Sequence, residues 1–247
     1  MGESKPTHSE RCCEYCGRPL APYVVEFGGR RIVAGFRECD CEGARRQKAR
    51  VEKAEAAKRE ARLSESRKRA GIPKRFLNAT VQHQSLLDYL ESFEGSAGQG
   101  LYIYGSVGRG KSYSAAALAN AFVDAGYRTV FTTASAMLER IKASFSGNGE
   151  TESVISKYAA CDILVLDDLG KEDAKEWSSN MMFLVINARY EGMRPTIFTS
   201  NYSIQTLSKR LGRKGEVETA EAIASRLSET TTPIHLTGQD MRITSRS

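Results

Sequence analysis

Two groups of residues in this 247-residue sequence have the types and spacing to do chemistry. The first is Gly105-Ser106-Val107-Gly108-Arg109-Gly110-Lys111-Ser112, followed by Tyr113, which fits G-x-x-x-x-G-K-[ST]. Its glycines let successive backbone N–H groups turn toward a phosphate without Cβ clashes. Lys111 has the reach for β and γ phosphates, and Ser112 carries the hydroxyl that binds Mg²⁺. The second group is a set of six cysteines, five of them between Cys12 and Cys41.

A phosphate loop needs an acidic residue at the end of a neighbouring strand. Leu164-Val165-Leu166-Asp167-Asp168 supplies one. Asp167 is placed to hold Mg²⁺ as a Walker B aspartate does, and Asp168 to orient or deprotonate the attacking water. Many ATPases carry Glu there; Asp168 is shorter. Thr199-Ser200-Asn201 ends the next apolar run, where an amide can sense the γ-phosphate or position water. Asp167-Asp168-Leu169-Gly170 also satisfies a GTPase-like D-x-x-G, but no guanine-reading N-K-x-D occurs, so ATP is the expected nucleotide.

Among the cysteines, Cys13-x-x-Cys16 precedes Cys39-x-Cys41 by 22 residues. Gly17 follows the first pair as in a zinc knuckle, where a small residue lets N–H groups face the sulfur. A redox C-x-x-C pair would not need Cys39 and Cys41. Zn²⁺ held by Cys13, Cys16, Cys39 and Cys41 is the expected state, with Cys12 as an alternative to Cys13. Cys161 stands apart and reads as a small buried hydrophobe.

The elements that must position these groups follow from texture. Residues 12–43 contain two short β-like runs around Gly28-Gly29, a hairpin signal. Residues 44–69 are rich in Ala, Arg, Lys and Glu, without Gly or Pro, and hold 11 Lys/Arg against 4 Asp/Glu. Val51 and Leu63 are the only large aliphatics of this stretch, so it reads as a connecting or docking helix. From residue 72 onward strands and helices alternate: runs at 101–104, 129–132, 163–166 and 196–199, with helices at 111–125, 135–145 and 176–191. Met137, Leu138, Ile141 and Phe145 fall on one side of the 135–145 helix. Such alternation predicts a doubly wound α/β domain.

Charge is uneven. Residues 1–70 hold 17 Lys/Arg and 11 Asp/Glu, the whole of the net +6, while the rest balances. The excess suits an acidic partner or a well-solvated helix. The sequence contains no run of 18 apolar residues and no apolar h-region within residues 1–30. The expectation is therefore a cytoplasmic protein, without a secretory signal or a membrane partner.

The series Gly71-Ile72-Pro73-Lys74-Arg75-Phe76, the phosphate loop, Leu166-Asp167-Asp168-Leu169-Gly170, Thr199-Ser200-Asn201 and Ser225-Arg226-Leu227 resembles the DnaC/DnaI/IstB-like branch of AAA+ ATPases, the replicative helicase loaders. The resemblance implies an α/β fold, an αβα sandwich with a parallel sheet and a minimal or absent helical lid, joined to a small N-terminal zinc-binding module. The resemblance covers about residues 70–245; with the texture of the rest it gives three segments, the zinc module at 1–43, a basic linker helix at 44–70 and the AAA+ domain at 71–247. Asn201 is similar to sensor 1. Arg226 sits where the family has an arginine finger, and Arg242 matches the sensor 2 position. Ala220-Glu221-Ala222 departs from the Gly-Glu-Arg that loaders often carry. The 135–145 helix lies where loaders contact single-stranded DNA. Lys142 and Phe145, spaced i, i+3, form a cation and ring suited to that, with a core role for Phe145 the alternative.

Three functions compete at this level. The first is a loader that binds a replicative helicase through its N-terminal module. It self-associates through the ATP site and has a weak ATPase stimulated by DNA or partner. The second is an IstB-like transposition ATPase assembling on double-stranded DNA. The third is a small-molecule P-loop kinase, which Asn201 and Arg226 disfavour.

Overall fold

The computed structural model describes residues 11–145, 150–172, 176–214 and 217–237. Two compact units emerge, Met1–Arg62 and Leu63–Ser247. The long helix α1 (Glu42–Arg69) runs through the division.

The first unit is built on an antiparallel hairpin, β1 (Pro22–Phe27) and β2 (Arg30–Phe36). Phe27 pairs directly with Arg30, leaving a two-residue turn. Gly28 and Gly29 both have positive φ, 58° and 73°. A type I′ turn demands that at both central positions, which is why two glycines stand there. Phe27 is 75% exposed and Ile32 47%, so the hairpin buries little apolar surface of its own.

The second unit carries a five-stranded parallel sheet in the order β4-β5-β6-β3-β7. Its strands are β3 (Gly100–Tyr104), β4 (Thr129–Thr133), β5 (Ile163–Leu169), β6 (Thr196–Ser200) and β7 (Thr231–His235). Residues alternate between two cores. Leu101, Ile103, Ile163, Val165 and Ile197 meet the helix α3 (Lys111–Asp124) and the short α2 (Gln84–Glu91). Ala115, Ala116 and Ala119 let α3 lie close to the strands. Tyr102, Leu164, Leu166 and Phe198 face the opposite layer. There the helices are α4 (Ala134–Ser144), α5 (Glu150–Ala160), α6 (Glu176–Glu191), α7 (Ile204–Leu211) and α8 (Val217–Thr230). This is the expected αβα sandwich, with central strands buried on both faces.

The sheet edges are managed. The N–H of Phe131 on β4 donates to the Ala70 carbonyl at 2.6 Å, so the residue just after α1 covers that edge. A Cβ on Gly71, whose φ is +88°, would approach the Phe131 carbonyl oxygen to 2.4 Å. At the other edge β7 carries Pro233, which lacks a ladder donor and is tolerated at an edge. Gly126, with φ +93°, closes α3; the Tyr127 N–H reaches back to the Phe122 carbonyl at 3.0 Å.

One expectation changes. Met137, Leu138 and Ile141 are buried, but Phe145 is 56% exposed. The Ser144 hydroxyl donates to the Ile141 carbonyl at 2.7 Å and Ser144 is the last residue of α4. Phe145 lies past the regular helix, so its ring leaves the apolar stripe and meets Trp177 edge-on at 6.1 Å.

Among the described residues, one of the large, fully buried side chains is charged. Arg189 of α6 is 1% exposed. Its guanidinium donates to the carbonyls of Tyr158 and Cys161 at 2.9 Å each, to the Pro195 carbonyl at 2.7 Å and to the Thr196 hydroxyl at 2.7 Å. The fork thus closes the C-terminal end of α5 and fixes the entries to β5 and β6. A cation there also opposes the negative end of the helix. Arg189→Ala orphans several buried carbonyls at once and should lower unfolding free energy by about 3 kcal/mol or more. Urea denaturation followed by circular dichroism checks this; a loss below about 1 kcal/mol would contradict it.

Candidate functional site

The phosphate loop runs from the end of β3 to the start of α3. Gly105, Gly108 and Gly110 have φ of 148°, 83° and 79°. Gly105 is also sterically required, because a Cβ there would meet the Leu236 carbonyl oxygen at 2.4 Å. That carbonyl is held in place by the Leu236 N–H donating to Tyr104 at 2.8 Å. Gly110 serves as the N-cap of α3, so the first free amides of the helix face the loop. Lys111 is 6% exposed, and its ammonium donates to the carbonyls of Gly105 and Ser106 at 2.8 and 2.9 Å.

Asp167 is the hub of the site. It is 6% exposed at the end of β5. Its Oδ1 accepts from the Ser112 hydroxyl at 2.9 Å and from the Thr199 hydroxyl at 2.5 Å. Burial pushes the Asp167 carboxyl above its usual range, and the Thr199 hydroxyl pulls the other way. The Thr199 hydroxyl also accepts the Asp168 N–H at 2.9 Å. Between Leu166 and Leu169 the β5–β6 register shifts, and Asp168 has φ +60°. The irregularity aims two consecutive carboxylates differently: Asp167 toward Ser112, Asp168 into the cleft.

The cleft is lined by Val107 to Tyr113 together with Asp168, Asn201 and three further residues. Those three are Arg75, Phe76 and Lys171, to which residue type and spacing assigned no role. The Arg75 guanidinium sits 4.7 Å from the Phe76 ring centre, and Phe76 meets Tyr113 edge-on at 6.0 Å. The Tyr113 hydroxyl accepts the Thr80 N–H at 3.3 Å. Lys171 pairs with Asp168 at 2.8 Å. Thr199 was legible only as part of Thr199-Ser200-Asn201; its partners lie more than 30 residues away and no local signal marks it.

Other expected residues lie elsewhere. Arg226 is on α8, with its guanidinium 4.0 Å from the Tyr190 ring centre and its Nε donating to Asn187 at 3.2 Å. It does not line its own cleft. Lys142 is exposed on α4, like Phe145 just beyond it. Arg242 lies outside the described residues.

In the first unit four sulfurs converge. The Sγ atoms of Cys13, Cys16, Cys39 and Cys41 all lie within 4.8 Å of one another. Cys13 and Cys41 are 3.7 Å apart, Cys16 and Cys39 3.5 Å. A tetrahedral metal with Zn–S bonds of about 2.3 Å places its sulfurs about 3.8 Å apart, so the set fits zinc. Cys12 is exposed and outside the cluster, which selects Cys13. Gly17, at φ +71°, makes the knuckle, donating to the Cys13 carbonyl at 2.8 Å. The Arg18 backbone N–H lowers the Cys16 thiol to about 6. Cys41 caps α1, its sulfur accepting the Ala44 N–H at 3.4 Å.

Comparison with known proteins gives a consistent answer. A family model described as IstB-like ATP binding protein matches residues 40–247. The replicative helicase loader DnaI of Bacillus subtilis is 30% identical over 165 residues, 64% of this chain and 53% of that protein. The replicative helicase loader DnaC of Escherichia coli K12 is 24% identical over 127 residues, 51% of each. A putative insertion sequence ATP-binding protein of Sinorhizobium fredii is 32% identical over 104 residues, 42% of this chain and 34% of that one. The chain thus spans about half the length, or less, of these curated relatives. Among solved structures, the crystal structure of DnaI aligns with TM-score 0.59 and 26% identity, covering 67% of this chain and 94% of that one. The DnaC helicase loader aligns with TM-score 0.57 and 24% identity, covering 67% and 100%, a likeness of fold. AAA+ proteins with this site are in general ATPases. On its sequence match, sheet order and phosphate site, the chain belongs to the IstB-like ATP-binding family, with the AAA+ P-loop fold of the DnaI and DnaC loaders.

Proposed function

We propose that this chain is an ATP-driven helicase loader, delivering a replicative helicase to single-stranded DNA with ATP as the switch. The ATP part of the proposal is carried by the Ser112–Asp167–Thr199 connection in a cleft whose glycine loop opens onto a helix N-terminus, and the loader part by the likeness to DnaI. ATP is the substrate. Lys111 would hold its β and γ phosphates, with the N–H groups of the loop around them. Ser112 and Asp167 would hold Mg²⁺, which when bound offsets phosphate charge. Their hydroxyl and carboxylate already meet at 2.9 Å, an arrangement a divalent cation would share. Asn201 and Asp168 would orient water at the γ-phosphate, and the edge-on rings of Phe76 and Tyr113 offer apolar surface for adenine.

Arg226 faces away from its own cleft, as a group serving a neighbour's nucleotide must. That supports a finger acting in trans, with a weak ATPase raised by assembly, DNA or partner. Arg242 keeps its proposed sensor 2 role from sequence alone. The exposed Lys142 and Phe145 would serve DNA phosphate and base. The cysteine module would hold Zn²⁺ through Cys13, Cys16, Cys39 and Cys41 and deliver the first unit to the helicase. A second reading, an IstB-like ATPase on double-stranded DNA, is favoured by the match to the insertion sequence protein.

Two outcomes are expected. The purified full chain should retain a purified replicative helicase on a column, and a variant lacking residues 1–62 should not. Retention of double-stranded DNA with no helicase binding would favour the transposition reading. Elemental analysis should find one zinc per chain, and Cys39→Ser should lose both the metal and the hairpin's circular dichroism, because the first unit has little apolar core of its own. A Cys39→Ser protein with unchanged stability and no zinc in the wild type would remove the metal assignment.

A further inference from the structure

The turn carrying Asp168 is fastened on every side but one. Its backbone is left-handed at Asp168 and Gly170, with φ of +60° and +92°. Gly170 has no room for a side chain, since a Cβ would meet Leu207 at 2.7 Å and Tyr202 at 3.0 Å. The Gly170 N–H donates to both oxygens of the buried Glu172 carboxylate, at 3.0 and 2.9 Å. The Gly170 carbonyl accepts from Arg210, and the Leu169 carbonyl accepts from the Ser200 hydroxyl at 2.7 Å. What remains free to move is a pair of side chains, Asp168 and Lys171, both facing the phosphate cleft. They meet at 2.8 Å with side-chain exposures of 31% and 49%.

An ion pair this open to solvent is weakly held. It also has an odd location. A fixed turn presents an exposed ammonium, on a four-carbon stem, to a cleft lined by the phosphate loop. Meanwhile that ammonium covers the carboxylate best placed to meet water. Lys111 differs in being buried and bonded to the Gly105 and Ser106 carbonyls, so Lys171 is a separate and more exposed cation on the same cleft.

The geometry points to Lys171 as a second phosphate-reading cation, resting on Asp168 until the terminal phosphate of a nucleoside triphosphate draws it away. The exchange would free the Asp168 carboxylate as it marks the γ-phosphate as present. In the hydrolysis this serves, water oxygen bonds to the γ phosphorus. The bond to the β–γ bridging oxygen breaks, its electron pair leaves with ADP, and the water proton passes to Asp168. The diphosphate lacks the group that draws Lys171 off, so the residue distinguishes ATP from ADP. This inference rests on reading the cleft as an ATP site.

The test is a titration of the full chain, Lys171→Gln and Lys171→Arg, with Mg²⁺, using fluorescent ADP and a non-hydrolysable ATP analogue. Lys171→Gln should weaken the ATP analogue about tenfold and leave ADP within about twofold, since one charge-assisted contact is lost from only one ligand. Lys171→Arg should bring the analogue back to within about threefold of wild type. Equal weakening of both nucleotides, or no change in either, would overturn the role for Lys171. A wild-type chain that binds neither nucleotide would instead remove the ATP reading itself.

Discussion

A single hydroxyl, that of Thr199, ties the reactive end of this molecule together. It donates to Asp167 and accepts the N–H of Asp168, so the side chain of one strand fixes two consecutive residues of the next. Asp167 then reaches Ser112 at the head of α3. Three elements, β5, β6 and α3, meet at one carboxylate. That carboxylate is buried, and a buried carboxylate without partners is costly. The hydroxyls of Thr199 and Ser112 offset the cost, and the same geometry leaves Asp167 poised to share its charge with a cation. Stability of the sheet's end and competence of the site are therefore one arrangement, and the shifted register between Leu166 and Leu169 is what lets Asp168 depart from it into the cleft.

The fold places its other charged groups by the same logic of compensation. Arg189 is fully buried yet surrounded by carbonyls at the end of α5. Arg67 donates to both oxygens of Asp124, at 2.9 and 2.6 Å, and to the Leu77 carbonyl at 3.0 Å. It thereby anchors the end of α1 on α3. In the first unit the described residues bury little beyond Cys13 and Cys41, and four sulfurs converge where hydrophobic side chains do so in the second. The two units use different means to one end, since each must hold a small number of chemical groups still.

Much of this was legible because it is local. The phosphate loop is eight consecutive residues. The apolar run 163–166 marks a buried strand and puts Asp167 at its end. Gly28-Gly29 specifies a tight turn, and Cys-x-x-Cys followed by Cys-x-Cys specifies a converging set. What escaped depends on contacts distant in sequence. Nothing near Thr199 announces a bond to Asp167, 32 residues earlier. Lys171 looks like any surface lysine until the turn folds it over Asp168. β7 contains Pro233 and a single large aliphatic, Ile234, so no apolar run marks it as a strand. Phe145 fits the helical period of Met137, Leu138 and Ile141, but α4 ends one residue before it, and periodicity says nothing about where a helix stops.

On the proposed reading Asp167, held by Thr199 and Ser112, makes this cleft a Mg²⁺-dependent ATP site. Calorimetric titration of ATP into the full chain and into Asp167→Asn, each with Mg²⁺ and with EDTA, tests it most directly. Asparagine keeps the shape and the acceptor oxygen but removes the charge. The account predicts that Mg²⁺ strengthens ATP binding to the wild type at least tenfold, a difference of about 1.4 kcal/mol, and that this gain disappears in Asp167→Asn. Equal strengthening by Mg²⁺ in both proteins, or no ATP binding by the wild type, would contradict it.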